Sequence, residues 1–211
     1  MKHIDIKEAV DLIKDGMTIM VGGFLGVGAP QRIVEEMVKA GKKDLTIICN
    51  DTSFPEAGAG LLFSKGLAKK AIVSYVGGNP VSGEMILSGT MEVELVPQGT
   101  LAERIRCGGS GLGGVLTQTG LGTIVEKDKQ KINIDGKEYL LEKALHADVA
   151  IIGASVADKY GNLLYRGTTK NFNPLMAMAA DVVIAEATEK VDTIEPNNVS
   201  TPYLFVDYLI K

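Results

Sequence analysis

The chain has 211 residues, 45% of them hydrophobic, and a formal net charge of -4 at pH 7. That length suits one α/β domain, spanning residues 1–211, because roughly 70% of an unfolded chain's surface is hidden on folding at this size. The acidic balance excludes the basic field that nucleic acid requires. No apolar run approaches the roughly 20 residues needed to cross a bilayer, and Met1–Ile6 carry no signal-peptide core, so a cytoplasmic location is expected.

In chain order, Ile6, Ala9, Val10 and Ile13 fall at helical spacing, and Asp15-Gly16 ends the pattern. Thr18 to Val21 reads as a buried strand closed by Gly22-Gly23. Pro30 opens a helix whose apolar stripe is Ile33, Val34, Met37 and Val38, and Gly41 stops it. Leu45 to Cys49 is a second buried strand. This βαβ unit predicts a parallel sheet with a right-handed crossover.

Further strands are predicted over Ala71 to Val76, Val93 to Val96, Asp148 to Ile152 and Val182 to Ala185. Helices are expected over Gly83 to Leu87, Leu101 to Arg106, and from Asn173 as cap to Ala179. Glycine-rich loops run from Gly108 to Gly122. Thr123 to Glu126, Lys131 to Ile134 and Tyr139 to Leu141 read as antiparallel strands, with Asp135-Gly136 as a tight turn. The expected fold class is therefore α/β, a mostly parallel sheet flanked by helices, with a small antiparallel element around 123–141.

The 25 glycines exceed the roughly 7% of average proteins and gather at the ends of apolar runs. Gly22-Gly23-Phe24-Leu25-Gly26-Val27-Gly28-Ala29-Pro30 leaves a strand and enters a helix, a context that favours anion binding through free N–H groups and the helix dipole. Its spacing is neither GxGxxG nor a P-loop, and a turn that only packs strand on helix fits equally. Gln98, in Pro97-Gln98-Gly99-Thr100, follows a strand and offers a neutral amide donor for an oxyanion, or a helix cap.

Arg104 and Arg106 lie on opposite sides of their helix, so one could meet a phosphate while the other stays solvated. Ser110 has no histidine nearby in sequence. Asn171-Phe172-Asn173-Pro174 could bind substrate polar atoms or simply cap a helix. Asp51 and Glu56 lie near a strand end and are the internal candidates for acid–base work. His3, in an N-terminus expected to be mobile, and His146 are the two histidines, and no metal motif is present. Cys49 and Cys107 form no CxxC pair and read as buried small hydrophobes.

The run Asp15-Gly16, three apolar residues from Ile19 to Val21, Gly22-Gly23-Phe24, three residues, Gly28, one residue, Pro30 resembles the alpha-subunit signature of family I coenzyme A transferases. Asn50-Asp51-Thr52, Val96 to Thr100, Ile105 to Gly109, Thr119 to Thr123 and Asn171 to Pro174 look like further segments of the same subunit, so the resemblance covers nearly the whole chain. The chain looks like the bacterial acetate/acetoacetate (butyrate–acetoacetate) type.

The resemblance implies transfer of coenzyme A from a short-chain acyl-CoA to a free carboxylate, by a ping-pong route through a glutamyl-CoA thioester. It implies that the glutamate lies in a Ser-Glu-Asn-Gly motif of a partner beta subunit, in an alpha2beta2 or larger assembly. No Glu-Asn-Gly occurs here. By the same likeness Gln98 is the oxyanion donor, and Gly22, Gly23, Phe24, Leu25, Gly26, Val27 and Gly28 are the loop facing coenzyme A. No metal and no tightly bound cofactor are expected, with coenzyme A or acyl-CoA as substrate. A sugar-phosphate isomerase of similar fold and a non-catalytic acyl-CoA-binding subunit are the competing readings.

Overall fold

A computed structural model describes residues 1–211. The chain opens on a short strand, β1 (Lys2–Ile4), followed by helix α1 (Ile6–Asp11). At the start of α1 the Glu8 carboxylate accepts the Asp5 N–H at 2.8 Å, as the third helical residue does in a capping box. Then come β2 (Thr18–Val21), α2 (Gln31–Lys39), β3 (Leu45–Ile48), α3 (Ala59–Ser64), β4 (Ala68–Val73), α4 (Pro80–Leu87), β5 (Glu92–Leu95) and α5 (Gln98–Gly109). The second half holds β6 (Gly114–Thr117), β7 (Lys131–Ile134), β8 (Lys137–Lys143), β9 (Ala147–Asp158), β10 (Leu163–Leu164), α6 (Asn173–Met176), β11 (Ala180–Val191) and β12 (Tyr208–Ile210).

The main sheet runs β1-β12-β11-β9-β2-β3-β4-β5, and every neighbouring pair on that path is parallel. The two-residue β10 adds antiparallel to β9. Alternation along the central strands divides the core. Ile19, Val21, Ile47, Val149 and Ile151 pack on one face with Ile33, Val34, Met37 and Phe63 from the helices. Met20, Ile48, Ala150 and Ile152 pack on the other with Leu101, Ile105 and Met176. Both faces are thus covered, as a parallel sheet requires. Beside it stands a three-stranded antiparallel sheet in the order β6-β8-β7, turned at Asp135-Gly136, where both residues have positive φ.

Some elements differ from expectation. Residues 123–126 are not a strand. Ile124–Glu126 form a 3-10 turn, because the Thr123 hydroxyl accepts the Val125 N–H and the Glu126 carboxylate accepts the Gly122 N–H. Such local side-chain bonds compete with strand pairing. The third antiparallel strand is β6 instead, inside the expected glycine loop. The terminus carrying His3 is held as β1 against β12. Asn173 does not cap α6; that position falls to Phe172, and the Asn173 side chain is buried elsewhere.

After β9 the chain reverses around Asp158. Its carboxylate accepts N–H groups from Tyr160, Asn162 and Ile194 and the Asn162 side-chain amide. Desolvation would raise the Asp158 carboxyl, but these donors prevail and hold it below the ordinary value. The stabilisation is therefore present above the normal carboxylate range and is lost as pH falls through the folded value. Asp158→Asn turns a donor toward other donors, and is expected to cost about 2–3 kcal/mol near neutrality. Denaturant unfolding should show that deficit shrinking below about pH 3–4.

Candidate functional site

The C-terminal ends of β2, β3, β4 and β5 point the same way, and a cleft of about 430 Å³ opens above them. Each of four loops supplies its wall: Phe24 and Leu25 after β2, Asn50 and Asp51 after β3, Ser74 and Tyr75 after β4, and Gln98 after β5. This is where open α/β sheets place ligands. A neighbouring lobe of about 350 Å³ shares Phe24, Asn50 and Gln98, and extends along Gly99, Ala102, Asn171 and Phe172. Two of the cleft's lining aromatics, Phe24 and Tyr75, are presented to solvent.

Gln98 is the first residue of α5, one turn earlier than the helix predicted from Leu101. The Leu101 N–H bonds the Pro97 carbonyl at 2.9 Å, which starts the helix at the strand end. The Gln98 side chain is thereby held at the mouth of both lobes. Its Nε2 donates to Asn50 Oδ1 at 2.7 Å, and Asn50 Nδ2 donates to Asp51 Oδ2 at 2.6 Å. Asp51 also accepts the Ser53 N–H at 2.7 Å and the Leu25 N–H at 3.1 Å. Asn50 and Asp51 are buried, whereas Gln98 is exposed.

Most N–H groups of the glycine loop are already taken by acceptors of this chain. The N–H groups of Gly22, Gly23, Phe24, Leu25 and Val27 bond Ile151 O, Asn171 Oδ1, Val27 O, the Asp51 carboxylate and Phe24 O respectively. The N-terminus of α2 is also occupied. Glu186 of β11 accepts the Arg32 and Ile33 N–H groups at 3.2 and 3.0 Å. Burial pushes the Glu186 carboxyl up, although the two N–H bonds and the Arg32 charge oppose that rise. The helix end predicted to attract a ligand anion therefore holds a carboxylate of this chain. Phe24 and Leu25 act as cleft wall, and Leu25 adopts a left-handed φ of 47°.

Asn173 explains the opening glycine. Its Oδ1 accepts the Gly153 N–H at 3.1 Å, and its Nδ2 donates to the Gly28 carbonyl at 3.0 Å and the Thr169 carbonyl at 2.8 Å. A Cβ at Gly22 would lie 1.7 Å from that Oδ1. Gly22→Ala must expel Asn173 and strand its buried partners. Overpacking and each unsatisfied group cost about 1–3 kcal/mol, so a fall of about 10 °C in melting temperature is expected, at about 2–4 °C per kcal/mol. Gly83→Ala, in α4 with nothing within 4 Å of its Cβ, serves as the control and should melt at or slightly above the parent temperature.

The other sequence candidates fall outside the cleft. Glu56 is exposed and does not line it. Arg104 is buried against Glu94 at 2.6 Å and donates to the Lys143 carbonyl, tying α5 to the antiparallel sheet. Arg106 pairs with Glu103 on the surface. Ser110 ends α5, and His146 is exposed. Cys49 and Cys107 are both buried free thiols, and burial, with the nearby Asp51 charge, pushes the Cys49 thiol well up. Ser74 and Tyr75 escaped the motif reading; their one signal was position at the end of a buried strand. No group of His, Cys, Asp and Glu is arranged to hold a metal ion, and no helix is long and apolar enough to cross a membrane.

Residues 3–211 match the family described as "Coenzyme A transferase". The chain is 53% identical over 212 residues to the acetoacetyl-CoA:acetate/butyrate CoA transferase alpha subunit of Clostridium acetobutylicum, covering 100% of this chain and 97% of that one. It is 49% identical to the acetate CoA-transferase subunit alpha of Escherichia coli K12, covering 99% and 96%. Among solved structures, an acyl-CoA transferase of Escherichia coli O157:H7, in thioester complex with CoA, superposes with a TM-score of 0.85 at 22% identity; the match covers 98% of this chain but only 48% of that longer one. Glutaconate coenzyme A-transferase of Acidaminococcus fermentans superposes at 0.84 with 21% identity, covering 100% and 75%. The chain therefore belongs to the coenzyme A transferase family and is similar over its whole length to that family's alpha subunits.

Proposed function

We propose that this chain is the alpha subunit of a short-chain acyl-CoA:carboxylate CoA-transferase of the acetate, acetoacetate or butyrate type, completed by a beta subunit that supplies the nucleophile. One observation carries the reading. The cleft offers an exposed amide donor, Gln98, but its one lining carboxylate, Asp51, is buried and engaged through both oxygens. An attacking carboxylate must then come from elsewhere, past the exposed aromatic side chains of Phe24 and Tyr75. Two relatives named as alpha subunits support such a partner, as does the match to about half of a longer acyl-CoA transferase chain.

The chemistry then runs as two acyl exchanges. A partner glutamate oxygen attacks the thioester carbonyl, the C–S bond breaks, and coenzyme A thiolate leaves behind an acyl-glutamyl anhydride. The thiolate attacks the glutamyl carbonyl, the anhydride C–O bond breaks, and the first acid departs, leaving a glutamyl-CoA thioester. The second acid reverses these steps. Each attack builds negative charge on a carbonyl oxygen, for which the second N–H of Gln98 Nε2 is a donor. Closure by a partner excludes water, which protects the anhydride from hydrolysis. The glycine loop shapes the wall facing the thioester, and the Gly26 and Gly28 N–H groups remain for coenzyme A.

Mass spectrometry of the complex after incubation with acyl-CoA tests the assignment. The coenzyme A adduct is expected on a glutamate of the partner. An adduct on this chain would overturn the proposal.

A further inference from the structure

Gln98 stands at the end of a polar chain whose orientation is dictated from the inside. The Asp51 carboxylate can only accept hydrogen bonds, and it already takes the Ser53 and Leu25 N–H groups. The Asn50 atom 2.6 Å from it must be the amide nitrogen. That leaves the Asn50 carbonyl oxygen facing Gln98, and only the Gln98 NH2 group can meet it, at 2.7 Å. One N–H of Nε2 is thereby committed to Asn50. The other belongs to an exposed side chain lining both lobes of the cleft. With Asn50 and Asp51 only 2% and 4% exposed, solvent does not offer them alternative partners.

We propose that Asp51 is a positioning residue for the transfer reaction: it sets the sense of the Asn50 amide and, through Asn50, fixes which edge of the Gln98 amide presents N–H to the cleft. The proposal rests on the reading of Gln98 as oxyanion donor. Replacing the carboxylate with an amide removes the acceptor-only constraint. Asn50 and Gln98 can then both turn over, presenting a carbonyl oxygen where a donor is needed.

The test uses the assembled alpha–beta enzyme. Asp51→Asn keeps the side-chain volume, and its remaining oxygen can still accept the Ser53 and Leu25 N–H groups. Turnover is expected to fall about 10- to 100-fold, within the loss caused by removing an oxyanion donor, with KM for acyl-CoA little changed. In a Gln98→Ala background the same substitution should cause no further loss, because its effect passes through Gln98. Full turnover of Asp51→Asn, or an equal fall in both backgrounds, overturns the relay while leaving Gln98 in place. Full turnover of Gln98→Ala by itself brings down the oxyanion reading, and the relay with it. If Asp51→Asn does not assemble, Asn50→Ala is judged by the same two criteria, since it removes the acceptor that holds Gln98.

Discussion

Purified without a companion, this chain should transfer no coenzyme A between acids above background, and adding the beta subunit should raise turnover by at least about 10³-fold. The expectation follows from the carboxylate inventory of the cleft. Asp51 lines it but is buried, with bonds from Leu25, Ser53 and Asn50 covering both oxygens. A nucleophile must approach a thioester carbonyl with a free lone pair, and freeing Asp51 would break three contacts that shape the loops. Without a partner the cleft is also open to water, which weakens every electrostatic contact inside it. The measurement is coenzyme A exchange from acetyl-CoA to acetoacetate or butyrate with each chain alone and with both. Full-speed exchange by the solitary chain would sink the division of labour.

Gln98→Ala is expected to lower turnover by about 10²–10³-fold while the complex still forms. The substitution touches little of the core. Leu101 and Ile105, which anchor α5, remain buried, and α5 still starts from the Pro97 carbonyl. What disappears is an amide N–H at the cleft. Losing an interaction made only as the oxyanion develops lowers kcat without raising KM, so the split between these constants is the informative readout. Gln98→Glu, nearly isosteric but unable to donate when ionised, should be at least as slow. Wild-type turnover in Gln98→Ala would remove this residue from the mechanism.

The architecture was legible wherever the local pattern was strong. Apolar runs at 18–21 and 45–48 gave strands β2 and β3, and the stripe of Ile33, Val34 and Met37 gave α2. Short elements were not legible. β1 and β12 have three residues each and α3 has six, too few for a period to show. The 123–126 segment misled because its strand-like residues are overruled by bonds from Thr123 and Glu126.

The sequence by itself determined the family, through the run from Asp15 to Pro30, and the α/β class, through alternating apolar strands and helices. Only the tertiary structure decided how the site is wired. Gln98 meets Asn50 across 48 positions, Asn173 reaches Gly28 across 145, and Glu186 caps α2 across more than 150. The physical reason is topological. Parallel crossovers carry the chain away from each strand end and return it beside the next, so groups that share the cleft are distant in sequence. No local spacing records whether a loop N–H will find a ligand or an acceptor brought by another strand.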